Sequence, residues 1–330
     1  MLRMSQEYKR IIVARTDRIG DVVLSLPVFA SLKKCFPQSE LTALVRAYTT
    51  DVVSSFESVD NVIIYDPDES LLIATRQKLK RMNADAIIFL FPRFRISAAA
   101  FLARIPVRVG TAYRWYSFLF NKKVREHRKD SVKSEAEYNL ALAEALGCEE
   151  KVFDTKLNIN NEALGRVKNF LNENAIKKYI IVHPGSGGSA FEWGEEKFHE
   201  LIKSITGRLN LPVIVTGTAT EHTLCEKVSS GIPKSINAAG KFSLLEFIAL
   251  LSEAEAFVSN STGPIHLAAA VDTPVIGIYP NGKPMTPVRW APITDKKVIL
   301  TPSDGSNNLS LISVDEVMRS LYKLMSVKTE

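Results

Sequence analysis

Short runs of β-branched and aliphatic residues recur along the chain, each followed by a longer stretch with apolar residues at helical spacing. That alternation predicts parallel β/α units rather than hairpins. In the first half the runs lie at Arg10–Arg15, Leu41–Arg46, Asn61–Tyr65, Ala84–Phe91 and Val107–Gly110, with helices near Val22–Cys35, Ser70–Met82 and Ile96–Arg104. A helix from about Ser134 to Leu146 stops at Gly147, a residue suited to the C-terminal position of a helix. Residues 148–160 read as a connector with a short strand around Thr155–Ile159. The rhythm then restarts, with strands at Tyr179–His183, Pro212–Thr216, Ala256–Ser259, Pro274–Tyr279 and Lys297–Leu300. Helices are expected near Glu195–Thr206, Glu221–Ser229, Ser243–Ser252, Pro264–Val271 and Val314–Met325. The fold class is therefore α/β, with two Rossmann-like, doubly wound domains over residues 1–160 and 161–330. Functional residues should follow strand C-terminal ends, which face a cleft in such a pair.

Composition changes this picture little: 46% hydrophobic and 24% charged residues are ordinary for a globular protein. Cys35, Cys148 and Cys225 lie far apart without a CxxC, which argues against a disulfide framework or a zinc site and suits a reducing, cytoplasmic setting. The polar start MLRMSQEYKR does not read as a leader, and no apolar run approaches the ~20 residues of a membrane span. Charge distribution is more informative. Residues 76–133 carry 15 Lys/Arg against Asp85, Glu126 and Asp130, so the net +6 of the chain conceals a local +12. Such an excess is either a set of solvated helix faces or a surface for an anionic partner. Nucleic acid is disfavoured, because no nucleic-acid-binding motif accompanies the aromatics there.

Four segments after strands carry candidate chemistry. Arg15-Thr-Asp-Arg-Ile-Gly-Asp21 leads into the first helix; Asp21 is either a helix-start carboxylate or a general base for an acceptor hydroxyl. No G-x-G-x-x-G follows that strand, which removes the usual dinucleotide fingerprint. His183-Pro-Gly-Ser-Gly-Gly-Ser189 is a small-residue loop able to bring N–H groups and hydroxyls onto phosphate, or simply a connection. In Ser259-Asn-Ser-Thr-Gly-Pro-Ile-His266 two hydroxyls and a glycine open a helix with Pro at an early position, a ready anion site that His266 could face. The proline-rich loop from Tyr279 to Pro292 offers Lys283 and Arg289 to phosphate and Trp290 to a base or sugar face, unless it is a structural lid.

Taken together, R-T-D-R-I-G-D-V-V-L-S-L-P at 15–27, H-P-G-S at 183–186 followed by Trp193, and S-N-S-T-G-P-I-H-L-A-A-A at 259–270 resemble glycosyltransferase family 9, the lipopolysaccharide heptosyltransferases. The resemblance spans about residues 10–290. It implies a GT-B fold with an N-terminal acceptor domain and a C-terminal donor domain, the last helix (about 313–327) often crossing back to the first. It implies inverting transfer, without metal or other cofactor, from an ADP-linked heptose or related sugar. Asp21 is then the base; Ser186, Ser261, Thr262, Gly263 and His266 fall at donor diphosphate positions, Glu221 at the ribose, Phe242 near the base, with Arg289 a further donor contact. Arg18, Arg93, Arg95 and Arg114 become acceptor-side candidates, facing a phosphorylated glycolipid at the inner face of the inner membrane. Two departures stand out. Phe191-Glu192 precedes Trp193 where the family usually has a basic residue, and Ser261 stands where Asp is common; Lys241, Lys283 or Arg289 are the available substitutes. A GT-B-like sugar-nucleotide epimerase and a non-catalytic nucleotide-sugar- or glycan-binding descendant are the alternative readings.

Overall fold

A computed structural model of the chain describes residues 7–66, 72–188 and 190–326. It divides into two units: one comprises residues up to Arg128 together with Lys133–Leu157, the other Lys129–Val132 and Asn158 onward.

The first unit is built on strands β1 (Arg10–Ala14), β2 (Glu40–Val45), β3 (Asn61–Ile64), β4 (Ala86–Phe89), β5 (Val107–Thr111) and β6 (Lys122–Val124). They form one sheet in the order β3-β2-β1-β4-β5-β6, with every neighbouring pair parallel. Central strands buried on both faces need unbroken apolar runs, and Ile11-Ile-Val-Ala14 and Ala86-Ile-Ile-Phe89 supply them. Its helices are α1 (Ile19–Val23), α2 (Leu26–Cys35), α3 (Thr50–Ser54), α4 (Leu72–Met82), α5 (Phe94–Leu102) and α6 (Glu135–Glu144). Helix α6 begins at a reciprocal capping box: Glu137 N donates to Ser134 Oγ (3.2 Å) and Ser134 N to Glu137 Oε2 (2.7 Å).

The second unit repeats the plan with β7 (Ile180–His183), β8 (Val213–Val215), β9 (Ser235–Asn237), β10 (Ala256–Asn260), β11 (Val275–Ile278) and β12 (Lys297–Leu300). Its sheet runs β12-β11-β10-β7-β8-β9, again all parallel. Read from the opposite edge this is the same strand order as in the first unit. The helices are α7 (Asn161–Glu173), α8 (Glu195–Ser204), α9 (His222–Ser229), α10 (Leu244–Ser252), α11 (Gly263–Ala270), α12 (Pro287–Trp290) and α13 (Val314–Ser326). The apolar stripe of α13, through Val314, Val317, Met318 and Leu321, joins the core formed by β7, β8, β10 and α8. The described part of the last helix thus packs within the second unit.

Four expectations need correction. The helix expected over 22–35 is two helices, because Pro27 at the start of α2 would clash with the carbonyl four residues back in a continuous helix. Ser25 closes the break by donating to Val22 O at 2.6 Å. No strand forms around Thr155–Ile159, which is irregular. The edge strands β6 and β9, three residues each and partly polar, do not stand out in the hydrophobic pattern, and α7 was not expected. Finally, Cys35 and Cys148 form a disulfide with Cα atoms 5.6 Å apart, across 113 residues of sequence. It ties the end of α2 to the segment after α6, and only Cys225 remains as a free, buried thiol.

Candidate active site

In each sheet the chain winds outward from two adjacent central strands in opposite directions, which leaves a crevice at their C-terminal ends. In the first unit those strands are β1 and β4; in the second, β7 and β10. Three of the four sequence segments fall on the loops after β1, β7 and β10, and the fourth, Tyr279 to Pro292, follows β11.

After β1, Arg15 is buried and its guanidinium gathers three carboxylates. Nε donates to Asp17 Oδ1 (2.8 Å), one terminal nitrogen to Glu135 Oε1 and Asn139 Oδ1 (3.0 Å each), and the other to Asp21 Oδ1. Glu135 and Asn139 lie one turn apart on α6, so a single helix face reaches the β1 loop. Arg128 also bonds both of them, and Asn139 Nδ2 donates to Leu24 O at 3.0 Å. Asp21 is thereby held by one oxygen, while Oδ2 has no hydrogen-bond partner among the described residues. Asp17 behaves differently from an ordinary carboxylate. Burial, opposed by the Arg15 charge and reinforced by the Asp21 charge, raises its pKa to about 6.

The β1 and β4 loops are joined by Arg93, whose Nε donates to Thr16 Oγ1 at 3.2 Å. Arg18, at the residue before α1, is exposed, as are Arg95 on α5 and Arg114 after β5. The guanidinium groups of Arg95 and Arg114 make no hydrogen bond to protein among the described residues. The structure thus brings Asp21 together with Arg15 and Asp17, and Arg93 with their loop. Arg95 and Arg114 are exposed, after the C-terminal ends of β4 and β5.

In the second unit, His183 ends β7 with Nδ1 3.0 Å from Thr216 Oγ1, and burial lowers its pKa to about 4 despite Glu221 nearby. The following loop turns through Gly187 and Gly188, both at positive φ. Gly187 N donates to Glu221 Oε1 (3.1 Å), and Thr218 N and Oγ1 donate to Glu221 Oε2 (2.8 and 2.9 Å). Although burial opposes it, those bonds together with His183 keep the Glu221 carboxyl below the usual carboxylate range. A Cβ on Gly185 would stand 2.1 Å from Glu221 Oε1, so only glycine admits this carboxylate to the loop. Ser186 donates to Glu192 Oε1 at 2.9 Å. The residue standing where a basic one was expected is therefore an acid bonded to the loop's own hydroxyl.

The loop after β10 is tied to the loop after β7 by Asn260. Its Oδ1 accepts from Trp193 N (3.1 Å) and its Nδ2 donates to Pro184 O (2.8 Å), while Trp193 Nε1 is anchored on Ile312 O (2.9 Å). Helix α11 starts immediately beyond, at Gly263 and Pro264. There Ser261 Oγ, Thr262 Oγ1 and His266 Nδ1 are all buried with no hydrogen-bond partner among the described residues. Burial lowers the His266 pKa to about 4, so the ring is neutral at pH 7. Unpartnered buried polar atoms are rare in native proteins because each costs roughly 1–3 kcal/mol. Three at one helix N-terminus form a site shaped for a ligand with acceptor oxygens.

The remaining candidates are less concentrated. Arg289 on α12 lies over the Trp290 ring at 4.6 Å, and Tyr279 holds that segment by donating to Trp290 O at 3.0 Å. Phe242 packs edge-on against Phe170 of α7, with centroids 5.1 Å apart. Sequence reasoning passed over Arg15, Asp17, Glu135, Asn139 and Asn260 as site residues. The one available signal was the capping box at Ser134, which sets Glu135 and Asn139 on one face of α6. A literal Asp-x-Asp tripeptide, the usual metal-binding signature of sugar transfer, does occur as Asp66-Pro67-Asp68. Asp66 follows the edge strand β3, away from the switch point, and Pro67 and Asp68 lie outside the described residues.

Comparison with known proteins agrees with this geometry. Residues 72–310 match the profile of glycosyltransferase family 9 (heptosyltransferase). A candidate glycosyltransferase of Haemophilus influenzae is 32% identical over 95% of this chain and 96% of its own length. The lipopolysaccharide core heptosyltransferase OpsX of the same organism is 25% identical over 84% of this chain and 80% of its own. Among solved structures, the Escherichia coli ADP-heptose lipopolysaccharide heptosyltransferase II superposes with a TM-score of 0.83 over 98% of this chain and all of that one, at 20% identity. That likeness establishes the GT-B fold. With the motifs on the switch-point loops of both sheets, the chain belongs to glycosyltransferase family 9, the heptosyltransferase family, and is a glycosyltransferase.

Proposed function

We propose that the protein transfers a heptose from ADP-heptose to a phosphorylated saccharide of the lipopolysaccharide-core type, with inversion at the anomeric carbon and without a metal. The observation that carries the donor half is the trio of unpartnered atoms on Ser261, Thr262 and His266 at the start of α11. A diphosphate there receives hydroxyl and N–H donors and sits at the positive end of the helix dipole. Glu221, already gathering N–H and O–H donors, has acceptor capacity for a ribose hydroxyl. On the acceptor side, Asp21 Oδ2 removes the proton of the attacking hydroxyl. That oxygen forms its bond to the anomeric carbon as the bond to the β-phosphate oxygen breaks, and ADP leaves with the electron pair. Arg15 fixes the other Asp21 oxygen, so the base is oriented before substrate arrives. Asp17 and Glu135 share the Arg15 guanidinium with Asp21. Arg18 and Arg93 meet the acceptor's phosphates.

Calorimetry with ADP, UDP, GDP and CDP, with and without EDTA, tests the donor assignment. Selective ADP binding that survives EDTA is expected, and selective UDP or GDP binding would move the donor to another sugar nucleotide. Asp21→Ala is expected to lower kcat by at least ~100-fold while leaving the ADP Kd unchanged. Retained turnover would remove Asp21 as the base.

A further inference from the structure

Helix α1, which carries Asp21 in its first turn, is five residues long. So short a helix does not hold itself together in water, and the place of Asp21 is set by what α1 is tied to. Burial of Val22 and Val23 seats the turn on the core, and hydrogen bonds at both ends fix its direction. Both lead to one side chain. At one end Asp21 Oδ1 accepts from Arg15, whose other terminal nitrogen donates to Asn139 Oδ1 at 3.0 Å. At the other end the carbonyl of Leu24, the residue that closes α1, accepts from Asn139 Nδ2 at 3.0 Å. The fully buried Asn139 amide thus completes a ring that runs through Arg15 to Asp21 and back along α1 to Leu24.

We propose that Asn139, on the reading of Asp21 as the base, is a positioning residue of the transfer reaction: from α6 it sets the direction of the Asp21 carboxylate. The two ends of its amide are not interchangeable. Oδ1 faces the guanidinium groups of Arg15 and Arg128, which only donate, and Nδ2 faces a carbonyl, which only accepts. An amide meets both demands; a carboxylate or an apolar side chain does not. Glu135, one turn earlier on α6, also accepts from both arginines but has no donor for the backbone of α1. The capping box at Ser134 fixes the start of the helix that presents the two side chains. A carboxylate at 139 would turn lone pairs toward Leu24 O and add a charge that draws Arg15 to α6 and away from Asp21. A displacement of about 1 Å in a reacting group can cost about 100-fold in rate. Nucleotide binding is spared, because the unpartnered atoms at the start of α11 belong to the second unit.

The test is Asn139→Asp, alone and combined with Asp21→Ala, assayed with ADP-heptose and a deacylated lipopolysaccharide-core saccharide. Alone it should lower kcat by about 10- to 100-fold and leave the ADP Kd unchanged. In the Asp21→Ala background it should lower kcat by no more than about twofold, since the carboxylate it positions is gone. A merely structural role would give the same loss in both backgrounds. Arg128→Gln repeats the cycle at a side chain that is 25% exposed and so more tolerant of change. It removes one of the two donors on Asn139 Oδ1 and should lower kcat about fivefold, again only when Asp21 is present. Wild-type kcat in Asn139→Asp, or equal losses with and without Asp21, would overturn the proposal and leave the base assignment standing. Turnover retained by Asp21→Ala alone would remove both together, so the two failures are told apart. If Asn139→Asp does not fold, equal losses in the Arg128→Gln cycle overturn the proposal in its place.

Discussion

Thr262 shows how a residue can be retained against the interest of the fold. Its hydroxyl is buried at the start of α11 with no partner among the described residues. Thr262→Val keeps the shape and removes the orphan group, so urea unfolding should show unchanged or increased stability, by up to ~1 kcal/mol. The same change should weaken ADP binding about tenfold, because a hydrogen bond to a charged oxygen is lost. A substitution that improves the protein and impairs the ligand marks a binding atom; equal losses in both would mark a structural one. Asp17 makes a second case. Its pKa rises from 3.8 to about 6 on folding, so the fold favours the protonated form. The stability this contributes is complete below pH 3.8 and lost as pH rises through 6. Asp17→Asn, which still accepts from Arg15, should therefore gain stability relative to wild type between pH 4 and 8, by on the order of 3 kcal/mol. A pH-independent difference would place Asp17 outside the buried cluster. Asp21 and Arg15 both stand in the motif at 15–27, but the tie from Arg15 to the buried Glu135 was not legible: those two are 120 residues apart and meet only when α6 packs.

At the scale of elements, the hydrophobic pattern located the central strands because strands buried on both faces must be apolar throughout. It lost β6 and β9, which sit at sheet edges and gain little from being apolar. Helix α7 is announced by Asn160, whose Oδ1 accepts from Ala163 N at 2.9 Å, yet a lone Asn is too common in loops to mark a start. The Cys35–Cys148 bond was invisible for a different reason: sequence spacing says nothing about proximity across 113 residues. Closing so long a loop restricts the unfolded chain, and about 2–4 kcal/mol of stability should follow. Dithiothreitol should lower the denaturant midpoint of the wild type accordingly and leave Cys35→Ser/Cys148→Ser unmoved. A wild type indifferent to reductant would mean that the thiols are unpaired in solution.

For the molecule as a whole, both sheets follow one winding plan, and each places its chemistry at its own reversal point. The proposed division of labour, with the base in the first unit and the donor in the second, makes a spatial prediction for hydrogen exchange. Saturating ADP should slow exchange in the loops after β7 and β10 and in α11, and leave β1–β6 unchanged. Protection concentrated around Asp21 instead would reverse the roles of the two units. The separation of the sheets also bears on how the protein is made. Every strand of the first sheet lies before residue 125, and none is borrowed from later in the chain. At typical translation rates of about 5–20 residues per second, the remainder takes roughly 10–40 s to synthesise. During that interval the first sheet must survive on the ribosome without its successor. Its outer strand β6 begins Lys122-Lys123, and paired lysines along an unpaired edge are a common guard against the next nascent chain adding itself there.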